Sequence, residues 1–300
     1  MINGIINVYK EKGYTSHDVV AKLRGILKQK KIGHTGTLDP DAVGVLPICL
    51  GNGTKLCDLL TDKDKTYEAV LLLGTVTDTQ DTSGTVLETK EVNCTKEEIT
   101  EAILSFIGEY EQLPPMYSAI KVNGKRLYEL ARAGLSVERK TRKVCINGIH
   151  IDNIDKQNNE VRFTVDCSKG TYIRTLCHDI GEKLGCGGCM KNLERTKVGQ
   201  FLKEDSLTID EIRDLVNNSN ISDKVIPVDV MFPDYDKVII KDEAMKYIYN
   251  GNNFTKEQCL NPEKENETPF VLVYDCNKVF VAIYRFSTEE KIYKPVKMFL

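Results

Sequence analysis

The sequence predicts an α+β fold: a mixed, largely antiparallel sheet flanked by helices and loops, followed by a small β-rich unit. Three observations carry this. Strand-like runs such as "KTYEAVLLLG", "KVCINGIHI" and "EVRFTVDC" are bounded by turn residues and joined by short connections. Stretches with helical periodicity and helix start and stop signals lie between them. Composition then changes near "VIPVDVMFPDYDKV", where Pro227 and Pro233 punctuate the chain and short apolar runs follow. The boundary is placed there, with residues 1–234 as one large unit and 235–300 as a small β-rich one.

Taken in order, residues 17–31, "HDVVAKLRGILKQKK", read as an amphipathic helix. Val19, Val20, Leu23, Ile26 and Leu27 form its apolar stripe, and Ser16 can cap its start. The Lys-rich end suits the negative pole of the helix dipole. A glycine loop opens at Gly33. A strand is expected near 66–74, running into the polar segment "TVTDTQDTSG". "TKEEITEAILSFIG" starts with a capping box from Thr95 to Glu98 and closes at Gly108. "LPPMYSAIKVNGKRLYELARAG" reads as a proline-bounded segment, a short strand, an Asn123-Gly124 turn and a helix ended by Gly134. "KVCINGIHI" and "EVRFTVDC" read as a strand pair, and "TYIRTLCHDIGEKLG" as a helix directly after Gly170. The runs "KVIIK", "PFVLVYD" and "KVFVAIYRF" supply the strands of the tail.

Three hundred residues with 41% hydrophobic side chains can bury a substantial core. No apolar run approaches the roughly 20 residues of a membrane-spanning helix. The N-terminus turns charged at Lys10, too early for a signal peptide. Ten cysteines without an export signal read as reduced thiols of a cytoplasmic protein. Cys186 and Cys189, near Cys177 and His178, have the spacing of half a zinc site. No second half follows, so a tight turn of small residues is the reading preferred, and no metal is expected.

The net charge of −3 averages over unlike segments. Residues 1–60 carry 8 basic and 5 acidic side chains, residues 119–145 carry 8 and 2, and residues 169–203 carry 7 and 3. Residues 204–300 carry 12 and 18. Phosphate binding depends on where cations cluster rather than on the total. Any one basic run reads most simply as a solvated face. Three of them, each beside an unusual motif, point to a polyanionic partner.

The most unusual motif is "GHTGTLDPDAVGVLPICLG". Pro40 pushes Asp39 toward extended backbone, and Gly33, Gly36 and Gly44 permit angles that other residues avoid. Together they would fix the direction of one carboxylate. A buried carboxylate can rise by about 3–5 pKa units, and an arginine within reach lowers it by about 1–3. Arg174, on the first turn of a helix, is badly placed for the dipole and needs an anionic partner. It is the candidate that keeps Asp39 ionised as a nucleophile. Tyr67, Tyr117 and Tyr172 lie in or near these motifs. With no Trp and 7% aromatic residues, the pattern fits a pocket for one flipped-out base better than a broad stacking surface. Residues 33–44, 67 and 172–174 are therefore expected to converge on a cleft across the sheet.

The motifs "GHTGTLDPDAVGVLPICLGNGTKL", "DKTYEAVLLLGTVTDTQDTSG", "QLPPMYSAIKVNGKRLYELARAG" and "CSKGTYIRTLCHDIGEKLG" resemble, in the same order, those of the tRNA pseudouridine synthase B family. The resemblance covers most of residues 1–200. It implies a pseudouridine synthase fold with a shortened PUA-type RNA-binding tail. It also implies isomerisation of uridine 55 in the T-loop of tRNA by an enzyme that needs no cofactor and acts as a monomer. By the same resemblance Asp39 is the essential aspartate and Arg174 its partner. Tyr67 is the tyrosine that stacks on the target base and is a candidate to take the C5 proton, and Tyr172 is a pocket tyrosine. His34 helps hold the extruded nucleotide, Leu193 is an apolar pocket residue, and Lys121 lies in a supporting motif.

Uridine isomerisation breaks the C1′–N1 bond and joins C1′ to C5, so one ionised carboxylate can carry it. Attack at C1′, loss of uracil through a glycal, and addition to C6 all remain open at this stage. Two rival readings are a non-catalytic RNA chaperone that folds the T-arm through its basic runs, and a glycoside hydrolase pairing Asp39 with Asp41. Asp39→Asn separates the isomerising enzyme from the chaperone, which would not need the charge.

Overall fold

The computed structural model describes residues 1–122, 124–261 and 269–300. Among these, nine strands form the main sheet: β1 (Gly4–Lys10), β2 (Ile32–His34), β3 (Val43–Leu50), β4 (Lys65–Leu73), β5 (Gly108–Gln112), β6 (Arg142–Asp155), β7 (Glu160–Cys167), β8 (Gly188–Val198) and β9 (Phe201–Leu202). Their spatial order is β1-β3-β8-β4-β7-β6-β5, with β2 added to β3 and β9 to β8. Every pairing is antiparallel except β3 with β8, which run parallel where Val43 and Gly44 face Glu194 and Arg195. The expected mixed, largely antiparallel sheet is therefore what forms, and its one parallel seam lies beside the glycine loop.

The strand pair read at β6 and β7 is present, and β7 alternates as a half-buried strand must. Val161, Phe163, Val165 and Cys167 point inward and are fully buried, while Arg162, Thr164 and Asp166 point out. That inner face packs on Ile173, Leu176, Cys177 and Ile180 of the helix Ile173–Lys183. On the other side of the molecule, Val19, Val20 and Leu23 of the helix Ser16–Ile26 cover Ile6, Val8, Leu46 and Ile48 of β1 and β3. The helix Ile209–Asn217 closes the same cluster with Ile209 and Ile212.

The first helix departs from its sequence reading at both ends. Its cap is Thr15, in a reciprocal capping box with Asp18, and Ser16 is buried inside the first turn. It stops at Ile26, because Lys28 takes a positive φ of 50° and turns the basic segment out of the helix. The capping box at Thr95 and Glu98 forms as read, on a helix spanning Lys96–Leu104. The hairpin arms Lys121–Val122 and Lys125–Arg126 precede the helix Leu127–Arg132. Of the turn expected between those arms, Asn123 lies outside the described residues, and Gly124 has a φ of 82°.

The tail is a five-stranded sheet of β10 (Asp236–Ile239), β11 (Phe254–Thr255), β12 (Phe270–Tyr274), β13 (Phe280–Ser287) and β14 (Ile292–Met298), in the order β10-β12-β13-β14-β11. The three apolar runs become β10, β12 and β13. β14, "IYKPVKM", carries a proline and two lysines, which hides a strand from a hydrophobic count. Leu272, Tyr274, Ile283 and Phe299 of the tail share one apolar cluster with Ile5, Val45, Cys49 and Val198 of the main sheet. Among the described residues no helix is long and apolar enough to cross a membrane.

Candidate active site

The loop from Thr35 to Ala42 leaves β2 and returns into β3. The backbone on both sides of Asp39 is pinned. Leu38 N–H donates to the buried Ser16 hydroxyl at 2.9 Å, and that hydroxyl reaches the Leu38 carbonyl at 3.4 Å. The Pro40 carbonyl accepts from the Lys10 ammonium at 3.1 Å and from Gly13 N–H at 2.9 Å. Gly44 ends the loop with a φ of 109°, where a Cβ would stand 2.2 Å from the Arg195 carbonyl oxygen. Only glycine satisfies both conditions.

Arg174 projects from the first turn of the helix Ile173–Lys183. The start of that helix is held by Gln112, a buried residue of β5 whose side-chain amide accepts from Tyr172 N–H at 2.8 Å and donates to the Tyr172 carbonyl at 3.0 Å. The Arg174 guanidinium meets Asp39 with two nitrogens, Nε to Oδ2 at 3.1 Å and Nη2 to Oδ1 at 3.3 Å. It also donates to the Tyr117 carbonyl at 2.9 Å and the Thr79 carbonyl at 3.3 Å, and pairs with Asp81 at 3.4 Å. The Arg174 side chain is 7% exposed, whereas that of Asp39 is 40% exposed. The carboxylate is thus gripped from the protein side and open on the other.

Burial raises the Asp39 carboxyl above the ordinary carboxylate range. Arg174 is the strongest opposing influence, and the Asp81 charge adds to the rise. The expectation that Arg174 would offset burial holds in sign only, because burial is the larger effect.

Tyr67, on β4, is buried. It shares an apolar cluster with Leu38 and Ala42 of the loop and with Leu193 of β8. Burial raises its hydroxyl, and the charge of the Arg195 guanidinium opposes this. Tyr172 caps the Arg174 helix. Its hydroxyl is raised by burial, against which the charges of Arg142 and Arg174 act. His34 ends β2 and accepts from Gly36 N–H at 3.3 Å, with the His17 ring edge-on at 6.0 Å. Its burial, then His17 and Arg195, hold it below the usual imidazole range. The structure therefore sets Asp39 against Arg174, packs Tyr67 and Leu193 beside the Asp39 loop, places Tyr172 at the head of the Arg174 helix, and leaves His34 at the start of the loop against Gly36 and His17. Lys121 stands apart. It is exposed on its hairpin arm, and among the described residues it makes no hydrogen bond or ion pair with the other six.

The chain matches the model of the TruB family pseudouridylate synthase N-terminal domain over residues 24–173, and that of the tRNA pseudouridylate synthase B C-terminal domain over residues 174–233. The chain belongs to the TruB family of pseudouridylate synthases. It is 55% identical to the tRNA pseudouridine synthase B of Lachnoclostridium phytofermentans, with 100% of both chains covered. It is 46% identical to that of Staphylococcus aureus (strain Newman), again over 100% of both. Among solved structures it is similar to a chain of a Cbf5–Nop10–Gar1 complex, with a TM-score of 0.72 and 26% identity over 99% of this chain and 85% of that one. It is also similar to a chain of an H/ACA RNP bound to a substrate RNA containing 2′-deoxyuridine, with a TM-score of 0.71 and 25% identity over the same shares.

As a TruB-family member the chain is a pseudouridine synthase, and its cleft contains groups the sequence reading passed over. Asp81 lies in the quoted "TVTDTQDTSG". It accepts at Oδ1 from Thr79 Oγ1 at 2.7 Å, Ser83 N–H at 3.0 Å and Ser83 Oγ at 2.5 Å, which leaves Oδ2 for Arg174. The signal was its Ser/Thr-rich surround, which supplies donors for a fixed carboxylate. Arg195 and Lys10 are buried cations, Lys10 at the end of the largely apolar β1 and Arg195 within the charged β8. Cations rarely bury without a reason, and that was the clue available. Cys186 and Cys189 flank Gly187, whose φ is 74°, and Gly181 packs so closely that a Cβ would lie 2.2 Å from Gly188 N. The tight-turn reading of this segment holds. Among the described residues no group of three His, Cys, Asp or Glu side chains could hold a metal ion.

Proposed function

We propose that the chain converts uridine 55 in the T-loop of tRNA to pseudouridine, with Asp39 as nucleophile on a flipped-out nucleoside. The observation that carries this reading is the two-point contact between Arg174 and an Asp39 that stays open to the cleft. A carboxylate so held has one direction of approach. The reaction is an isomerisation: C1′–N1 breaks, C1′–C5 forms, and the C5 proton passes to solvent while N1 gains one. Tyr67 supports the base from β4 and is the group placed to take the C5 proton. Leu193 supplies apolar contact. Tyr172 fixes the helix that presents Arg174, and His34 meets the RNA at the loop entrance.

The exposed cations Lys121, Lys125 and Arg126 belong to the most basic run and would meet phosphates, which position RNA without reading its sequence. Recognition then rests on T-arm shape and loop bases. Residues 1–234 would be the catalytic unit and 235–300 a PUA-like RNA-binding unit, in a monomeric cytoplasmic enzyme. The relatives named tRNA pseudouridine synthase B support tRNA as substrate.

The test is incubation with an unmodified tRNA transcript, followed by mapping of pseudouridine. Conversion at uridine 55 is expected, and its loss in Asp39→Asn with RNA binding retained. Folded protein and folded RNA that yield no T-loop product would end this reading. Undiminished RNA refolding by an inactive wild-type protein would favour the chaperone.

A further inference from the structure

Arg195 is 1% exposed, and among the described residues no carboxylate forms an ion pair with it. Burying a cation without a counter-ion is costly, so its retention needs a reason. The neighbourhood makes it costlier. Lys10 and Lys65 are also buried, each repelled by Arg195, and burial lowers each to about 8.

The contacts of Arg195 supply the reason. Its Nε donates to the Val45 carbonyl at 2.7 Å and its Nη2 to the Gly36 carbonyl at 3.3 Å. Those two carbonyls bracket Asp39 in the chain, one on each side of the loop. On β8, Arg195 sits directly across from Tyr67 of β4, and on its other side across from Gly44 of β3. Its charge also opposes the rise that burial imposes on the Tyr67 hydroxyl.

We propose that Arg195 is a positioning residue for the reaction, tying the two ends of the Asp39 loop together beside its cross-strand neighbour Tyr67. This rests on the functional reading above. Arg174 fixes the carboxylate from the helix side. Arg195 fixes the backbone that carries it from beneath. A lysine at 195 keeps the charge but lacks the planar fork that reaches both carbonyls.

The test is a double-mutant cycle on single-turnover rates with the full chain and a tRNA transcript, using Arg195→Lys, Tyr67→Phe and the pair. RNA affinity and a thermal melt are recorded for each. Arg195→Lys is expected to slow the chemical step by about 10²-fold, as loss of a preorganised donor does, with RNA affinity unchanged to within about twofold. The double variant is expected to lose clearly less than the product of the single losses. Arg195→Gln, which keeps one donor group and drops the charge, replaces the lysine variant if that one lacks a cooperative melt. Losses that multiply within about twofold, or a folded variant at full rate, would overturn the proposal. A wild-type protein without product would instead overturn the functional reading.

Discussion

Arg174→Lys isolates geometry from charge. The guanidinium makes five polar contacts: two to Asp39, one to Asp81, and one each to the Thr79 and Tyr117 carbonyls. An ammonium carries three donors on one atom and so gives up at least two of these. Hydrogen bonds involving charged groups contribute about 1.5–3 kcal/mol each. Asp39 is 40% exposed, so the lower figure applies to its share. The expected loss is about 3 kcal/mol, equivalent to a fall in melting temperature of about 6 °C for a chain of this size. The rate is affected more, because a nucleophile displaced by about 1 Å can lose about 10²-fold. Melts by calorimetry at pH 7 and single-turnover rates on the transcript measure both. A variant with native melting temperature and native rate would show that a point charge suffices and that two-point grip plays no part.

Other expectations follow from the same geometry. Asp39→Asn is expected to abolish turnover yet melt no lower than wild type at pH 7. With its folded pKa raised, Asp39 contributes stability that is full below its unfolded pKa and lost as pH rises through the folded value, so a lower melt for the variant at pH 7 would contradict the sign. The acid limb of kcat/KM is expected to lie above the ordinary aspartate value of about 3.9, and a limb at or below it in a pH–rate series would refute burial as the dominant influence. Gly44→Ala combines a φ of 109° with a 2.2 Å approach to the Arg195 carbonyl, so it is expected to cost more than about 1–3 kcal/mol, and a wild-type melt would show that the loop yields freely.

Much of the fold was legible where local rules and burial agree. The β6–β7 pair alternates at period two along most of β7, and the capping box at Thr95 states its own helix start. Where a residue serves a distant partner, local rules misread it. Ser16 is a good cap by type, but its hydroxyl is engaged by Leu38 of the loop, so Thr15 caps instead. The pairing of Asp39 with Arg174 was legible because each carried a local oddity, a fixed loop acid and a cation at the wrong end of a helix. Asp81 was not, since an acid in a polar turn looks like any other until Arg174 is brought beside it. Arg195 was hidden because strand register alone puts it under Tyr67 and Gly44.

The distribution of charge also explains why an acidic chain can serve RNA chemistry. Near the cleft, two carboxylates flank Arg174, and the buried cations Lys10, Lys65 and Arg195 lie in β1, β4 and β8 with no carboxylate in ion-pair contact among the described residues. A positive floor favours any negative charge that develops on a nucleobase as its glycosidic bond opens, and it does so without water that would need to reorganise. It also repels no phosphate that approaches from outside. Asp39 is the carboxylate set among these cations, and burial raises it in spite of Arg174. Each candidate group except Asp39 hangs from a strand or a helix end, and the Asp39 loop is tied at Leu38 to the first helix, at Pro40 to β1, and at Gly36 and Val45 to Arg195 of β8. Such a loop behaves as part of the scaffold. On the function proposed above, the contact of Asp39 with Arg174 is already made before RNA arrives, and flipping the nucleoside adds a cost of a few kcal/mol.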